Sequence, residues 1–173
     1  MSDAAHYSAV EQLRNGQQVE IRAQRPSDQA ELAATLERTS GESLYHRFFA
    51  VKHGFSDAEV AYFLDIDFVK HVALVAAVHA GGREKIVGGG RYVVGADGTA
   101  ELAFTVEDDY QGQGVGSALL RHLVVLARAA GLEKLTAEVM TDNTRMLRLF
   151  GKCGLPLERE QRADVVHVAL RLR

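Results

Sequence analysis

A glycine-rich loop between a strand-like segment and a helix-forming run constrains this chain more than any other feature of its sequence. The loop holds Gly112, Gly114 and Gly116, after the β-branched and aromatic stretch 100–107 and at the start of the run 115–130. That run carries one apolar helical face, made of Val115, Leu119, Leu123, Leu126 and Ala130. Because glycine adopts backbone conformations that other residues avoid, the pattern predicts a strand that turns sharply into a helix.

Such a loop is suited to an anion, because the first N–H groups of a helix lack intrahelical partners and the helix dipole is positive there. Ser117 adds a hydroxyl in the first turn, so a phosphate or pyrophosphate would fit. Two known phosphate loops do not match. Leu119 replaces the third glycine of a dinucleotide fingerprint, and Cys153 follows Gly151-Lys152 where a P-loop needs Ser or Thr. On the glycines alone, a tight turn without a ligand fits equally well.

The rest of the chain predicts one α/β domain with a mixed sheet. Residues 1–18 are polar and weakly patterned, which predicts a flexible arm outside the core and a domain over 19–173. Glycine-rich turns join three consecutive strands into an antiparallel meander. Strands are predicted at 19–23, 71–80, 86–94, 100–107, 134–140 and 164–172. Helices are predicted from the capping boxes Asp28-x-x-Glu31 and Ser56-x-x-Glu59, and over 115–130 and 143–153.

Composition and charge exclude several classes of protein. The 173 residues are 47% hydrophobic, and the net charge of −3 does not favour binding to nucleic acid or to an anionic membrane. The longest apolar run, 72–78, is too short to span a bilayer, and the N-terminus lacks the pattern of a signal peptide. The one cysteine, Cys153, cannot form an internal disulfide, and the histidines lack metal-site spacing. We therefore expect a cytoplasmic protein without a bound metal.

The loop also matches the pattern Gln/Arg-x-x-Gly-x-Gly/Ala, at Gln111, Gly114 and Gly116. In this respect the chain resembles the GNAT superfamily of acyl-CoA-dependent N-acyltransferases. The order of predicted elements over 19–172 is similar as well. The resemblance implies a GNAT fold, in which a central mixed, mostly antiparallel sheet is flanked by helices and splays apart at the acyl-CoA site.

A second motif agrees with this resemblance. Asn143 is followed seven residues later by Phe150 and eleven residues later by Gly154, as in the Asn…aromatic…Gly-Phe helix of the family. Leu155 stands where the family usually has Phe, which is a mild departure. Asn143 also suits the N-cap of its helix, and one residue can serve both roles.

The resemblance implies where acetyl-CoA would bind. Backbone N–H groups of the glycine loop would hold the pyrophosphate, and the strand before it would pair with the pantetheine arm like an added strand. Asn143 would hydrogen-bond the pantetheine, directly or through water. The implied cofactor-binding residues are Phe104, Thr105, Val106, Gln111, Gly112, Gln113, Gly114, Val115, Gly116, Ser117, Asn143 and Phe150.

Transfer to an amine also needs a base, because an alkylammonium with a pKa of about 10.4 costs roughly 4.6 kcal/mol to deprotonate at pH 7. Glu101 is the predicted catalytic residue, since it precedes the pantetheine strand on the face opposite Leu102 and Phe104. A solvated glutamate at a strand end is the alternative interpretation. The rival carboxylates are Glu107, Asp108, Asp109 and Glu138.

Phe150 departs from the family in a way that bears on mechanism. Many members have Tyr there as the acid that protonates the leaving thiolate, and Phe has no proton to give. A thiol pKa of about 8.5 makes the thiolate a tolerable leaving group. The hypothesis is direct attack assisted by a glutamate, with water or substrate protonating the thiolate.

Residues before the sheet meander resemble one branch of the family, the GNAT domain of bacterial protein-lysine acetyltransferases. The stretch 40–49 carries the similar residues Ser40, Ser43, Tyr45, Arg47, Phe48 and Phe49, and Ala100-Glu101 is similar as well. The resemblance implies a protein lysine as the acceptor. A small-molecule amine such as a polyamine, amino acid or aminoglycoside, or a non-catalytic acyl-CoA sensor, is the alternative. A homodimer is compatible with the sequence.

Overall fold

Eight strands form one mixed sheet in a computed structural model that describes residues 4–28, 30–31 and 66–172. The order across the sheet is β1-β2-β3-β4-β5-β6-β8-β7. The strands are β1 Ser8–Gln12, β2 Gln18–Ala23, β3 His71–Ala80, β4 Arg83–Val94, β5 Thr99–Val106, β6 Lys134–Met140, β7 Leu157–Arg162 and β8 Val165–Arg171. The described helices of eight or more residues are α1 Val115–Ala129 and α2 Thr144–Gly151. No helix of the described ranges is both long and apolar enough to cross a membrane.

The sheet divides at β5 and β6, which are the one parallel pair among otherwise antiparallel neighbours of the described sheet. They pair only over Thr99–Glu101 and Lys134–Thr136, although β5 continues to Val106 and β6 to Met140. The two strands therefore diverge and leave a cleft between them. The predicted fold class, an α/β fold with a mostly antiparallel sheet that splays apart, is confirmed.

Both helices pack on the same face of the sheet. Of the predicted apolar stripe, Val115, Leu119, Leu123 and Leu126 are buried there, whereas Ala130 is exposed at the C-cap of α1. Phe150 of α2 joins the same core cluster. In β5 the alternate residues Leu102 and Phe104 face this core, whereas Glu101 between the core-facing positions is exposed. Alternation along β5 thus separates a packed face from a face that is open at the cleft.

Glycines in β4 let α1 and Phe104 approach the sheet closely. A Cβ at Gly90 would lie 2.9 Å from Cδ1 of Phe104 and 3.1 Å from Cδ1 of Leu123. A Cβ at Gly88 would lie 3.0 Å from a methyl carbon of Val115, in the first turn of α1. These positions are therefore kept free of side chains by packing and not by backbone conformation.

The predicted flexible arm over residues 1–18 is wrong for residues 8–13. β1 is an edge strand that pairs with β2 along its whole length, and Leu13 after it is 4% exposed. The large apolar residue of β1, Val10, is 65% exposed, so the strand is held by backbone pairing and not by apolar burial. A search for hydrophobic periodicity could not find it. The sheet begins before the predicted boundary at residue 19.

β7 is the other strand that the sequence did not predict. Most of its residues are exposed, and charged residues lie on both of its faces. This pattern is typical of a loop, yet the segment pairs antiparallel with β8. Charged edge strands are typical of natural sheets because they resist pairing with other chains. The remaining strands were predicted with small boundary differences, and β6 coincides with the predicted 134–140.

Three predicted segments fall outside the described residues, wholly or in part. The helix opened by Ser56 and the aromatic stretch 40–49 lie entirely outside them. The helix predicted to begin near Asp28 is described only at its start. There the Glu31 carboxylate, predicted to complete a capping box, accepts a hydrogen bond from the Ile86 N–H at 3.3 Å.

A buried ion network fixes the chain where it leaves β2. Arg22 is 1% exposed, and its guanidinium donates hydrogen bonds to Asp28 at 2.8 and 2.9 Å and to Glu84 at 2.6 Å. Burial by itself would raise the pKa of Asp28, but hydrogen bonds from Arg22 and from the Arg25 N–H outweigh it and lower that pKa. Asp28 is therefore ionised at neutral pH and tied to β2.

Substituting Asp28→Asn should lower the free energy of unfolding by about 2–3 kcal/mol, less than the usual loss for a broken buried pair because Glu84 still faces Arg22. Chemical denaturation at neutral pH measures this. Because the folded-state pKa of Asp28 is lowered, its contribution is complete above the unfolded-state pKa and disappears as the pH falls through the folded-state value. The difference in the free energy of unfolding between the variant and the wild type should therefore become smaller at acidic pH. The control Glu160→Gln, in an exposed pair with Arg162, should change stability by less than about 0.5 kcal/mol.

Substituting Gly90→Ala should destabilise the fold by about 1–3 kcal/mol, because the new methyl group would collide with the rings and methyls packed beneath it. Gly89→Ala is the matched control, since its methyl would meet only the Leu74 carbonyl, at 3.5 Å. Thermal melts of both variants measure the difference. Equal melting temperatures for the two variants would contradict this account of the packing.

Candidate active site

A cavity of about 950 Å³ occupies the cleft where β5 and β6 diverge. Its walls come from β5, the glycine loop, the first turn of α1, the end of β6 and one side of α2. With the exception of Gln113, every residue predicted for the site lines this cavity: Glu101, Phe104, Thr105, Val106, Gln111, Gly112, Gly114, Val115, Gly116, Ser117, Asn143 and Phe150. Two sequence motifs about 30 residues apart thus meet in one place.

The glycine loop needs its glycines for backbone conformation. Gly112 has φ 78° and Gly114, the N-cap residue of α1, has φ 99°, both in the left-handed region. A Cβ at either would meet no atom within 4 Å, so conformation and not crowding excludes other residues. In the described chain no side chain caps α1, and its first turn carries no acidic residue. The N–H groups of that turn are therefore available to an anion.

Gln111 joins three parts of the site. Its Nε2 donates to the Val106 carbonyl at 3.2 Å, and its Oε1 accepts a hydrogen bond from Nη1 of Arg145. Val106 ends β5 and Arg145 lies on α2, on the other side of the cleft. The motif glutamine therefore ties the start of the loop to both walls of the cavity.

Arg14 is a site residue that the sequence analysis missed. It lies in the turn between β1 and β2, lines the cavity, and donates its backbone N–H to the Gln113 carbonyl at 3.0 Å. Its Nη1 donates to the Gly112 carbonyl at 3.2 Å. The pair Asn15-Gly16, a hairpin signal with Gly16 at φ 88°, could have indicated the turn but not its contact with the loop.

The edge of β5 beyond Glu101 has no strand partner on the β6 side among the described residues. On the other side Phe104 pairs with Gly90 and Thr105 with Gly89. The Phe104 side chain points into the core, so only its backbone faces the cleft. One row of strand N–H and C=O groups is thus available to an extended ligand.

The second motif supplies a cap and a packed ring. The Asn143 side chain accepts the Met146 N–H at 3.3 Å, which is the N-cap role considered from the sequence. Phe150 is 1% exposed and packs edge to face on Phe104, with ring centroids 6.3 Å apart. This phenyl ring joins α2 to β5, and it brings no ionisable group to the cavity.

Glu101 is exposed and lines the cavity, on the face of β5 opposite Phe104. Of the rival carboxylates with a described side chain, only Glu138 also lines it. Glu107 is 1% exposed and lies 3.3 Å from Nζ of Lys85, and Asp109 lies beyond the cavity wall. Asp142, which was not among those rivals, lines the cavity as well, so the acidic groups at the cleft are Glu101, Glu138 and Asp142.

One group of side chains with metal-binding chemistry lies outside the cavity. Ligand atoms of Glu20, His79 and Glu84 all lie within 4.8 Å of one another, which the scattered histidines of the sequence did not predict. Nη2 of Arg22 lies 2.6 Å from Glu84, so a cation here would compete with a guanidinium. None of these three residues lines the cavity.

Comparison with known proteins covers most of the chain. The profile of the acetyltransferase (GNAT) family matches residues 39–155. "Acetyltransferase Pat" of Mycolicibacterium smegmatis is 34% identical over 151 residues, which make up 86% of this chain and 44% of that protein. The chain therefore spans less than half the length of this relative.

Two solved structures share the fold. The GNAT domain of S. lividans PAT is 35% identical, with a TM-score of 0.85 over 95% of this chain and 96% of that one. The putative acetyltransferase yncA from Salmonella typhimurium, solved with its cofactor acetyl-CoA, is 19% identical, with a TM-score of 0.71 over 90% and 94% of the two chains, and it is informative for the fold alone. On the family match over more than half of its length, together with the splayed sheet and the glycine loop, the chain belongs to the GNAT family of acetyltransferases.

Proposed function

We propose that this chain transfers an acetyl group from acetyl-CoA to a primary amine, and that the amine is a protein lysine side chain. The observation that carries the proposal is the cleft between β5 and β6, where an unpaired strand edge leads directly to the glycine loop and the N-terminus of α1. An acyl-CoA has the matching order of groups, with an amide-containing arm next to a diphosphate.

The cleft fits acetyl-CoA in chemistry as well as in shape. The N–H groups of Gly112 to Ser117 would hold the diphosphate, helped by the positive end of α1. The backbone of Phe104, Thr105 and Val106 would pair with the amides of the pantetheine arm. Gln111 and Arg14 hold the loop from opposite sides, so these donors are arranged before the ligand arrives.

Glu101 is the proposed base. The acceptor enters as an ammonium and transfers one proton to the Glu101 carboxylate, directly or through water. The freed lone pair attacks the thioester carbonyl carbon, a C–N bond forms, the C–S bond breaks and CoA leaves as a thiolate. Phe150 cannot protonate that thiolate, because its buried ring carries no acidic proton. A water molecule, or the second proton that the attacking nitrogen loses as the amide forms, protonates the thiolate instead.

The protein acceptor is supported by two similarities. The stretch 40–49 resembles the corresponding part of bacterial protein-lysine acetyltransferases, and the chain is similar to Acetyltransferase Pat and to the GNAT domain of PAT. The acceptor itself is identified by a screen of free-thiol release from acetyl-CoA with Nα-acetyl-lysine amide, spermidine and lysine-containing peptides. Release with spermidine alone would assign a small-molecule acceptor. Thermal stabilisation by acetyl-CoA without release would assign a non-catalytic sensor.

Substituting Glu101→Gln should lower kcat about 10²-fold or more, because the amide cannot accept the ammonium proton. The affinity for acetyl-CoA, measured by calorimetry, should stay within about twofold of wild type if only general-base catalysis is removed. Glu133→Gln is the matched control, since Glu133 is exposed and is not part of the cavity wall. An unchanged kcat in Glu101→Gln would remove Glu101 from the mechanism.

Substituting Arg14→Ala should raise the dissociation constant of acetyl-CoA about tenfold, through loss of a charged hydrogen bond that holds the Gly112 carbonyl. Calorimetric titration of the folded variant measures this. Arg162→Ala, which removes an exposed guanidinium far along β7, should leave the constant unchanged. Equal affinities in wild type and Arg14→Ala would show that the hairpin has no part in holding the loop.

A further inference from the structure

Glu138 of β6 is a carboxylate that lines the cleft across from Glu101 of β5. β6 and β5 are last paired at Thr136 and Glu101, and Glu138 lies two residues beyond Thr136. Because side chains alternate along a strand, Glu138 is on the same face as Thr136 and Glu101. Glu138 therefore lies just beyond the last paired residues, where β5 and β6 have begun to separate. Both Glu101 and Glu138 line the cavity.

Two other carboxylates on this face, Glu158 and Glu160 of β7, each lie beside an arginine. Glu158 accepts a hydrogen bond from Nε of Arg171 at 2.9 Å, and Oε1 of Glu160 lies 2.9 Å from Nη2 of Arg162. Each of these glutamates has a permanent cation beside it, and neither lines the cavity. A cationic ligand gains little from them.

Glu138 has a different neighbour. Its Oε1 lies 3.4 Å from Nδ1 of His167, its cross-strand partner on β8, and a histidine is charged only when it is protonated. Its side chain is half exposed, on the cavity side. The imidazole restrains the carboxylate without the permanent positive charge of an arginine, so Glu138 is able to attract a cation into the cleft.

We propose that Glu138 binds and orients the ammonium group of the acceptor while Glu101 removes its proton, an inference that rests on the proposed function. An ammonium has three N–H bonds. One proton goes to Glu101, which frees the lone pair for attack, and one of the two remaining N–H groups donates to Glu138. Two carboxylates with separate tasks select a primary ammonium over neutral hydroxyl or thiol acceptors.

The test compares kinetic constants for the acceptor that the wild type acetylates most rapidly among Nα-acetyl-lysine amide, spermidine and a lysine-containing peptide. Glu138→Gln should raise the KM for that acceptor about tenfold, with kcat within about threefold of wild type, because ground-state binding is lost and the base is kept. Glu138→Asp, which keeps the charge on a shorter side chain, should give an intermediate KM. The calorimetric dissociation constant of acetyl-CoA should not change in either variant.

Glu160→Gln is the matched control, because Glu160 is the other cross-strand neighbour of His167 and lies away from the cavity. Its acceptor KM should equal that of wild type. An acceptor KM within twofold of wild type in Glu138→Gln, or a loss in kcat alone, would overturn the inference while the proposed function stands. A wild type that releases no thiol with any probe would overturn the proposed function, and this inference with it.

Discussion

The early separation of β5 from β6 is the constraint on which the rest of the structure depends. Two parallel strands that stop pairing after three rows leave backbone donors and acceptors without partners, which is costly unless solvent or a ligand reaches them. The hydrophobic core is not interrupted where the strands separate, because the rings of Phe104 and Phe150 pack against each other there. The sheet is therefore open along the hydrogen-bonding edges of β5 and β6, while the apolar side chains beneath the cleft remain packed against each other.

The loop at the end of this cleft is held by residues that are distant in sequence. Gln111 fixes its start to β5 and α2, and Arg14 fixes its middle from the N-terminal hairpin. That hairpin is fastened in turn to α1, where Glu11 pairs with Arg121 and the Tyr7 hydroxyl contacts His122. Loop, helix and hairpin thus form one connected unit, which limits the conformational freedom that a bound diphosphate would have to remove.

The sequence predicted those parts of the fold and site that depend on local pattern. The α1 stripe, the strand alternation around Glu101 and the turn glycines each depend on neighbours a few residues away, and they were found, apart from Ala130 at the end of the stripe. β1 and β7 were missed because edge strands held by backbone pairing carry no apolar periodicity. Arg14 and the pairing of Glu138 with His167 depend on contacts between remote segments, which no local pattern encodes.

The position of β1 has a practical consequence for dissecting this domain. A chain shortened to begin at residue 19 would keep every sequence motif and still lose the strand that covers the outer edge of β2. The uncovered backbone of β2 would be able to pair with another copy of the shortened chain, which would favour aggregation. The same truncation would remove Arg14 and its hydrogen bonds to the glycine loop. Aggregation and a less ordered glycine loop would therefore arise together from the loss of a segment that contains neither motif.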